Sequence, residues 1–126
     1  MLKIKSYVKV NSIEEAYELN QKKTAIVLGG MVWLKMGNRN ISTAIDLSGL
    51  GLAGIQETDE EFVIGCMTTL RELETDKRLN EYTQGAVRES VRHIVGVQFR
   101  NCATVGGSIW GRYGFSDVLT MFLGMD

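Results

Sequence analysis

The sequence predicts a mixed α/β (α+β) fold divided into two small α/β lobes, residues 1–50 and 51–126. Three observations carry that prediction. The first half runs strand, helix, strand, short helix, strand, the alternation of parallel α/β construction. Two boxes of the Ser/Thr-x-x-Glu form, Ser12 to Glu15 and Thr69 to Glu72, mark helix starts, because each hydroxyl accepts an amide that the first turn leaves unpaired. The glycines at 49, 51 and 54 then interrupt the pattern and separate the halves.

Lys3 to Val10 alternates between apolar and polar residues and reads as a strand. The helix capped by Ser12 carries Ile13, Ala16, Tyr17 and Leu19 on one side and is expected to run to Lys22. Thr24 to Leu28 is apolar enough to be a buried strand, stopped by Gly29-Gly30. A short helical turn over Met31–Met36, a polar loop over Gly37–Asn40 and a strand over Thr43–Leu47 complete the first lobe. In the second lobe, Gly54–Glu57 and Glu61–Gly65 read as a hairpin around Thr58-Asp59-Glu60. Helices are expected after Thr69, over Thr83–His93, and over Ser116–Met125 with Ser116 as its N-cap.

Composition excludes several function classes. Fourteen basic residues against fifteen acidic ones give a net charge of −1, so no basic field exists to attract nucleic acid or an anionic membrane. MLKIKSYVKV lacks the apolar core of a signal peptide, and no apolar run approaches the length of a membrane span. Cys66 and Cys102 stand apart without a CxxC spacing, and His93 is the only histidine, so a metal site is not expected. Reduced thiols and a cytoplasmic location are the expectation. Cys102 reads as a small packing residue and His93 as a surface group.

Candidate chemistry sits at two glycine pairs. In Ile26-Val27-Leu28-Gly29-Gly30-Met31 the pair follows a buried strand and precedes a helical turn. That position is either a tight β–α turn or a phosphate seat, since amides there point outward. In Ala103-Thr104-Val105-Gly106-Gly107-Ser108 hydroxyls flank the second pair and Arg100 lies upstream. It is either an ordinary glycine turn or an anion-binding nest. The second pair has neither Walker nor G-x-G-x-x-G spacing. Two such loops in one small chain would suit the pyrophosphate of a dinucleotide. Asp117 is then either a helix N-terminal charge or a partner for ribose hydroxyls or an adenine amino group. Trp33 and Trp110 follow the pairs and read as core or interface packing, with flanking a flat ring as the alternative for Trp110. No acid–base residue stands out.

The order A-I-V-L-G-G-M-V-W-L-K (25–35), T-A-I-D-L-S-G-L (43–50), T-T-L-R-E-L-E (68–74), R-N-C-A-T-V-G-G-S (100–108) and S-D-V-L (116–119) resembles the FAD-binding medium subunit of molybdenum hydroxylases, the xanthine dehydrogenase and carbon monoxide dehydrogenase type. The resemblance covers nearly the whole chain and implies a PCMH-type FAD-binding fold. It implies that Ile26, Val27, Leu28, Gly29, Gly30, Met31, Val32 and Trp33 form the pyrophosphate loop. Thr104, Gly106, Gly107 and Ser108 would contact the phosphates and the flavin side, and Asp117 the adenosine. The molybdenum cofactor and [2Fe–2S] clusters would sit on partner subunits, with electrons passing through FAD to NAD or another acceptor. Three residues depart from the family pattern: Met31 replaces a hydroxyl residue, Ser108 an asparagine, and Val10 a proline. Family members are also longer, so the second lobe is expected to be incomplete. The alternative is a truncated structural or assembly module that holds no flavin by itself and forms homo-oligomers through exposed apolar surface.

Overall fold

The computed structural model describes residues 1–125, which form two compact units, Met1–Leu52 and one beginning at Ala53. The first unit contains β1 (Lys3–Lys9), α1 (Ile13–Asn20), β2 (Ala25–Leu28), a single 3-10 turn (Leu34–Met36) and β3 (Asn40–Asp46). Its sheet has the order β1-β3-β2, with both pairings parallel. The third strand is therefore the central one. It starts three residues earlier than the sequence suggests, because Asn40 pairs with Lys3 at the foot of β1.

Periodicity explains the packing. Val10, Ala16, Ala25 and Ile45 form one core cluster between α1 and the sheet, closed by Val8, Leu19, Leu47 and Leu50. Leu28, Ile41 and Ala44 form a second cluster, closed by Leu2, Ile26, Met31 and Leu34. Ile41 and Ile45 are almost completely buried, and each such side chain stabilises the fold by about 1.5–3 kcal/mol. Helix α1 begins at its predicted cap, with Ser12 Oγ accepting from the Glu15 amide at 3.0 Å. The Glu15 carboxylate reaches one residue further back than a capping box requires, to the Asn11 amide. Lys3, Lys5 and Lys9 punctuate the edge strand β1, where exposed charge discourages pairing with another chain.

The second unit opens with the antiparallel hairpin β4 (Ile55–Glu57) and β5 (Phe62–Ile64). Six helices follow: α2 (Leu70–Thr75), α3 (Lys77–Tyr82), α4 (Ala86–Val91), α5 (Val97–Cys102), α6 (Val105–Trp110) and α7 (Asp117–Met125). The Thr69 capping box is complete, with the Glu72 amide donating to Thr69 Oγ1 and the Thr69 amide to Glu72 Oε2. The helix after Thr69 is brief, and the one expected over Thr83–His93 is shorter than predicted. Asp76 ends α2 and caps α3 by accepting from the Leu79 amide. The helix expected from Thr83 starts at Ala86, since Gln84 and Gly85 adopt positive φ. Asn80 enforces that break: its side-chain amide donates to the carbonyls of Leu73 and Asp76, and its oxygen accepts from the Arg88 amide. The core comprises Leu70, Leu73, Leu79, Val87, Val91 and Val118.

Arg100 belongs to this core rather than to a ligand site. It is 5% exposed, with Nε donating to Glu74 Oε2 at 2.8 Å and Nη1 to the Ile94 carbonyl at 3.1 Å. The hydrogen bond from Arg100, with a second contribution from Arg71, holds the Glu74 carboxyl below its ordinary value of 4.5. A carboxylate with a lowered folded-state pKa adds stability that is fully present above about pH 4.5. That stability is lost as pH falls through the lower folded value. Thermal unfolding between neutral pH and about pH 3 should therefore show a loss of stability that Glu74→Gln reduces. An unchanged acid dependence in that variant would remove Glu74 from the account.

Candidate cofactor site

The first glycine pair lies at the carboxyl end of β2, an edge strand of a parallel sheet, the end at which open α/β sheets receive ligands. Ile26, Val27 and Leu28 belong to the strand itself, and the Ile26 and Leu28 side chains enter the second core cluster. Beyond them the chain leaves the ladder. Among the described residues, the amides of Gly29, Gly30, Met31 and Val32 donate to no protein acceptor. Four consecutive uncommitted donors on half-buried backbone are what an oxyanion with several oxygens requires. The glycines with positive φ are Gly51, Gly54 and Gly85. Gly29 and Gly30 therefore do not serve an unusual backbone angle, and their lack of a β-carbon leaves the amides open to close approach. Met31 adopts φ 58°, and its carbonyl accepts from the Lys35 amide at 3.0 Å as the 3-10 turn begins. Trp33, at the turn's N-cap, is about half exposed.

The second pair is built differently. The segment before it is the helix α5, not a strand, and Gly106 and Gly107 lie in the first turn of α6. Thr104 is the N-cap, accepting from the Gly107 amide at 3.2 Å. The Gly106 amide donates to the Cys66 carbonyl at 2.8 Å, and the Val105 amide to the Thr68 carbonyl at 2.9 Å. Ser108 returns both its amide and its hydroxyl to the Thr104 carbonyl. The amides an anion nest would use are thus engaged, and Arg100 is turned into the core. What the turn offers outward is bare backbone at Gly107, which is exposed. Ser116 caps α7 through the Leu119 amide and donates to the Ser108 carbonyl at 3.4 Å. This brings the start of α7 to α6. Asp117 is exposed there, and among the described residues it has no hydrogen-bond or ion-pair partner.

Trp110 is exposed, with the Arg112 guanidinium 5.7 Å from its ring centroid. His93 is exposed, as expected, whereas Cys102 is exposed rather than packed. Both cysteines are free, and among the described residues no group of His, Cys, Asp or Glu could hold a metal ion. No helix among them is long and apolar enough to cross a membrane.

Sequence reasoning missed Asp46, at the end of β3 beside Leu28 in register. It accepts hydrogen bonds from the Tyr7 hydroxyl and from the amide and hydroxyl of Ser48. The Tyr7 hydrogen bond, followed by those from Ser48, depresses the Asp46 carboxyl, while the same Tyr7 bond raises the Tyr7 phenol. Tyr7 and Asp46 are 39 residues apart, so no local pattern announces the pair. Thr68 was also missed. It is fully buried and exchanges hydrogen bonds with both backbone groups of Gly54.

Comparison with known proteins gives this geometry a family. The model of the FAD binding domain in molybdopterin dehydrogenase matches residues 2–126. Among solved structures, reconstituted CO dehydrogenase from Oligotropha carboxidovorans aligns with TM-score 0.73 and 27% identity, covering 84% of this chain and 39% of that one. The Hydrogenophaga pseudoflava carbon monoxide dehydrogenase that lacks the Mo-pyranopterin moiety gives 0.65 and 28%, covering 82% and 38%. Quinoline 2-oxidoreductase from Pseudomonas putida 86, at 23% identity and TM-score 0.72, covers 82% of this chain and 38% of that one and shares the fold. This chain spans about two fifths of the length of these solved relatives. Comparison with curated proteins by sequence finds no match. With a family model matched over residues 2–126 and the mixed α/β fold in common, the chain belongs to the FAD-binding domain family of the molybdopterin dehydrogenases.

Proposed function

We propose that this chain holds FAD for a molybdenum-dependent hydroxylase or dehydrogenase of the carbon monoxide or xanthine dehydrogenase type. The observation that carries the proposal is the run of four uncommitted amides over Gly29–Val32, at the ligand-receiving end of a parallel sheet. The donor set suits a diphosphate. Backbone amides of Gly29, Gly30, Met31 and Val32 would hold its oxygens, and the half-exposed Trp33 stands beside them. In the second unit, the exposed backbone of Gly107 in the turn capped by Thr104, with Gly106 and Ser108, would line the flavin side. Asp117 offers a carboxylate to ribose or adenine. Bound flavin would supply the redox chemistry, relaying electrons from iron–sulfur clusters to NAD or another acceptor.

This chain's own residues bind and orient, and none is assigned an acid–base step. The molybdenum cofactor and [2Fe–2S] clusters belong to partner subunits in this reading, and the location is cytoplasmic. The engaged amides of the second turn favour one alternative, a module of the same fold that holds no flavin unaided and self-associates.

Titration of the purified full chain with FAD separates the two. Quenching of flavin fluorescence at near-stoichiometric FAD is expected for the first reading. Gly30→Val should then weaken binding by at least about tenfold, because a branched side chain blocks approach to the amides. A chain that binds no FAD favours the alternative.

A further inference from the structure

We infer that Met31 is the positioning residue of the first loop: its side chain, anchored in the core, holds the backbone in the form that presents the four amides. The inference rests on reading this loop as the diphosphate seat.

Four residues other than glycine adopt positive φ among those described: Met31, Gln84, Val95 and Arg112. L-residues enter this region at a cost, so something must hold each one there. The Gln84, Val95 and Arg112 amides or their neighbours close helix ends, and all three side chains are exposed. Left-handed residues after a helix are ordinary capping. Met31 follows a strand, and its own amide donates to nothing. Its side chain instead packs on the cluster of Leu28, Ile41 and Ala44, beside Ile26 and Leu34. Burial of an unbranched apolar chain therefore acts beside the one hydrogen bond at this residue, from the Lys35 amide to the Met31 carbonyl, in securing the turn. The cost of a strained angle persists only where surroundings over-determine it, and here the Met31 side chain packed on the cluster supplies that constraint.

One consequence is specific. Affinity for a diphosphate should follow the apolar volume at position 31, not the polarity of the side chain there. Glycine would adopt the angle freely and still fail, because it has no anchor.

The test measures FAD affinity of the full chain by flavin fluorescence, with inorganic pyrophosphate as a competing probe and thermal unfolding alongside. Met31→Ala and Met31→Gly should each weaken FAD and pyrophosphate by about tenfold, and Met31→Leu should stay within about threefold of the parent. Leu19→Ala, which trims the other core cluster, should lower the melting temperature without moving either affinity. Parent-like binding by Met31→Ala, or an equal loss in Leu19→Ala, overturns the inference. Strong loss in Gly30→Val with none in Met31→Ala would overturn Met31's role alone. Undiminished FAD binding by Gly30→Val would overturn the loop reading and the inference together, as would a parent chain that binds neither probe.

Discussion

The Arg100→Ala variant is expected to lose about 3–5 kcal/mol of the second unit's stability, the usual cost of leaving a buried partner charge uncompensated. Arg100 is the first residue of the motif R-N-C-A-T-V-G-G-S, and its place before a glycine pair invites a role in binding anions. The structure gives it other work. Its guanidinium joins Glu74 on α2 to the Ile94 carbonyl, and so clamps α5 against α2. In a unit of this size each kcal/mol moves the melting temperature by about 4–8 °C, so the loss should exceed about 10 °C. Glu74 keeps a second partner in Arg71, and Arg100→Met combined with Glu74→Gln should recover part of the deficit. Thermal unfolding of the single and double variants measures this. A melting temperature that barely moves, with FAD affinity reduced at a temperature where the variant is folded, would place Arg100 at the ligand instead.

Gly106→Ala and Gly107→Ala should behave as opposites despite being adjacent. A β-carbon at Gly106 would lie 2.7 Å from the Cys66 carbonyl oxygen and 2.9 Å from Cys66 Cβ. Backbone cannot step aside as a long side chain can, and overpacking of this kind costs about 1–3 kcal/mol. The same carbonyl accepts the Gly106 amide, so displacement would also forfeit that hydrogen bond. At Gly107 the nearest atom to a new β-carbon is Thr104 Oγ1 at 3.0 Å. There the crowding is set against the better helix propensity of alanine, about 1 kcal/mol, and the fold should change little. Gly107→Ala is therefore the variant that probes approach of a ligand to this turn, and Gly106→Ala reports on packing. The prediction fails if the two melting temperatures fall equally.

These two glycines show where sequence reading stops. The capping hydroxyls of Ser12, Thr69 and Ser116 were legible because each acts within one turn of its own position. The parallel first unit was legible for a similar reason, since strand and helix periods differ over a handful of residues. The engagement of the second pair was not. The Gly106 amide is taken by the Cys66 carbonyl and the neighbouring Val105 amide by that of Thr68, some forty residues upstream, and spacing alone cannot distinguish an amide facing a ligand from one facing a carbonyl. The breaks at Asp76 and Gly85 depend likewise on Asn80 reaching across three helices. Local propensity sees only a continuous helical stretch. At the first loop the apolar run before Gly29-Gly30 located the end of β2, but not the packing of Met31, because the Ile41 and Ala44 it meets lie on β3.

The bridge between Thr69 and Thr104 has a consequence for the order of folding. It joins two helix starts separated by 35 residues (104 − 69), and the Leu70 and Val105 amides close it from either side. A contact of such separation, like the Lys3–Asn40 pairing of the first unit, is gained only after a loop has been closed. During synthesis the parallel sheet of the first unit can assemble once β3 has emerged. The cap of α2 must wait for residues 103–106 before its neighbouring strand of backbone exists. The glycine turn is thus a closing joint of the second unit, and a nascent chain halted before it would expose Leu70 and Leu73 to solvent and to aggregation.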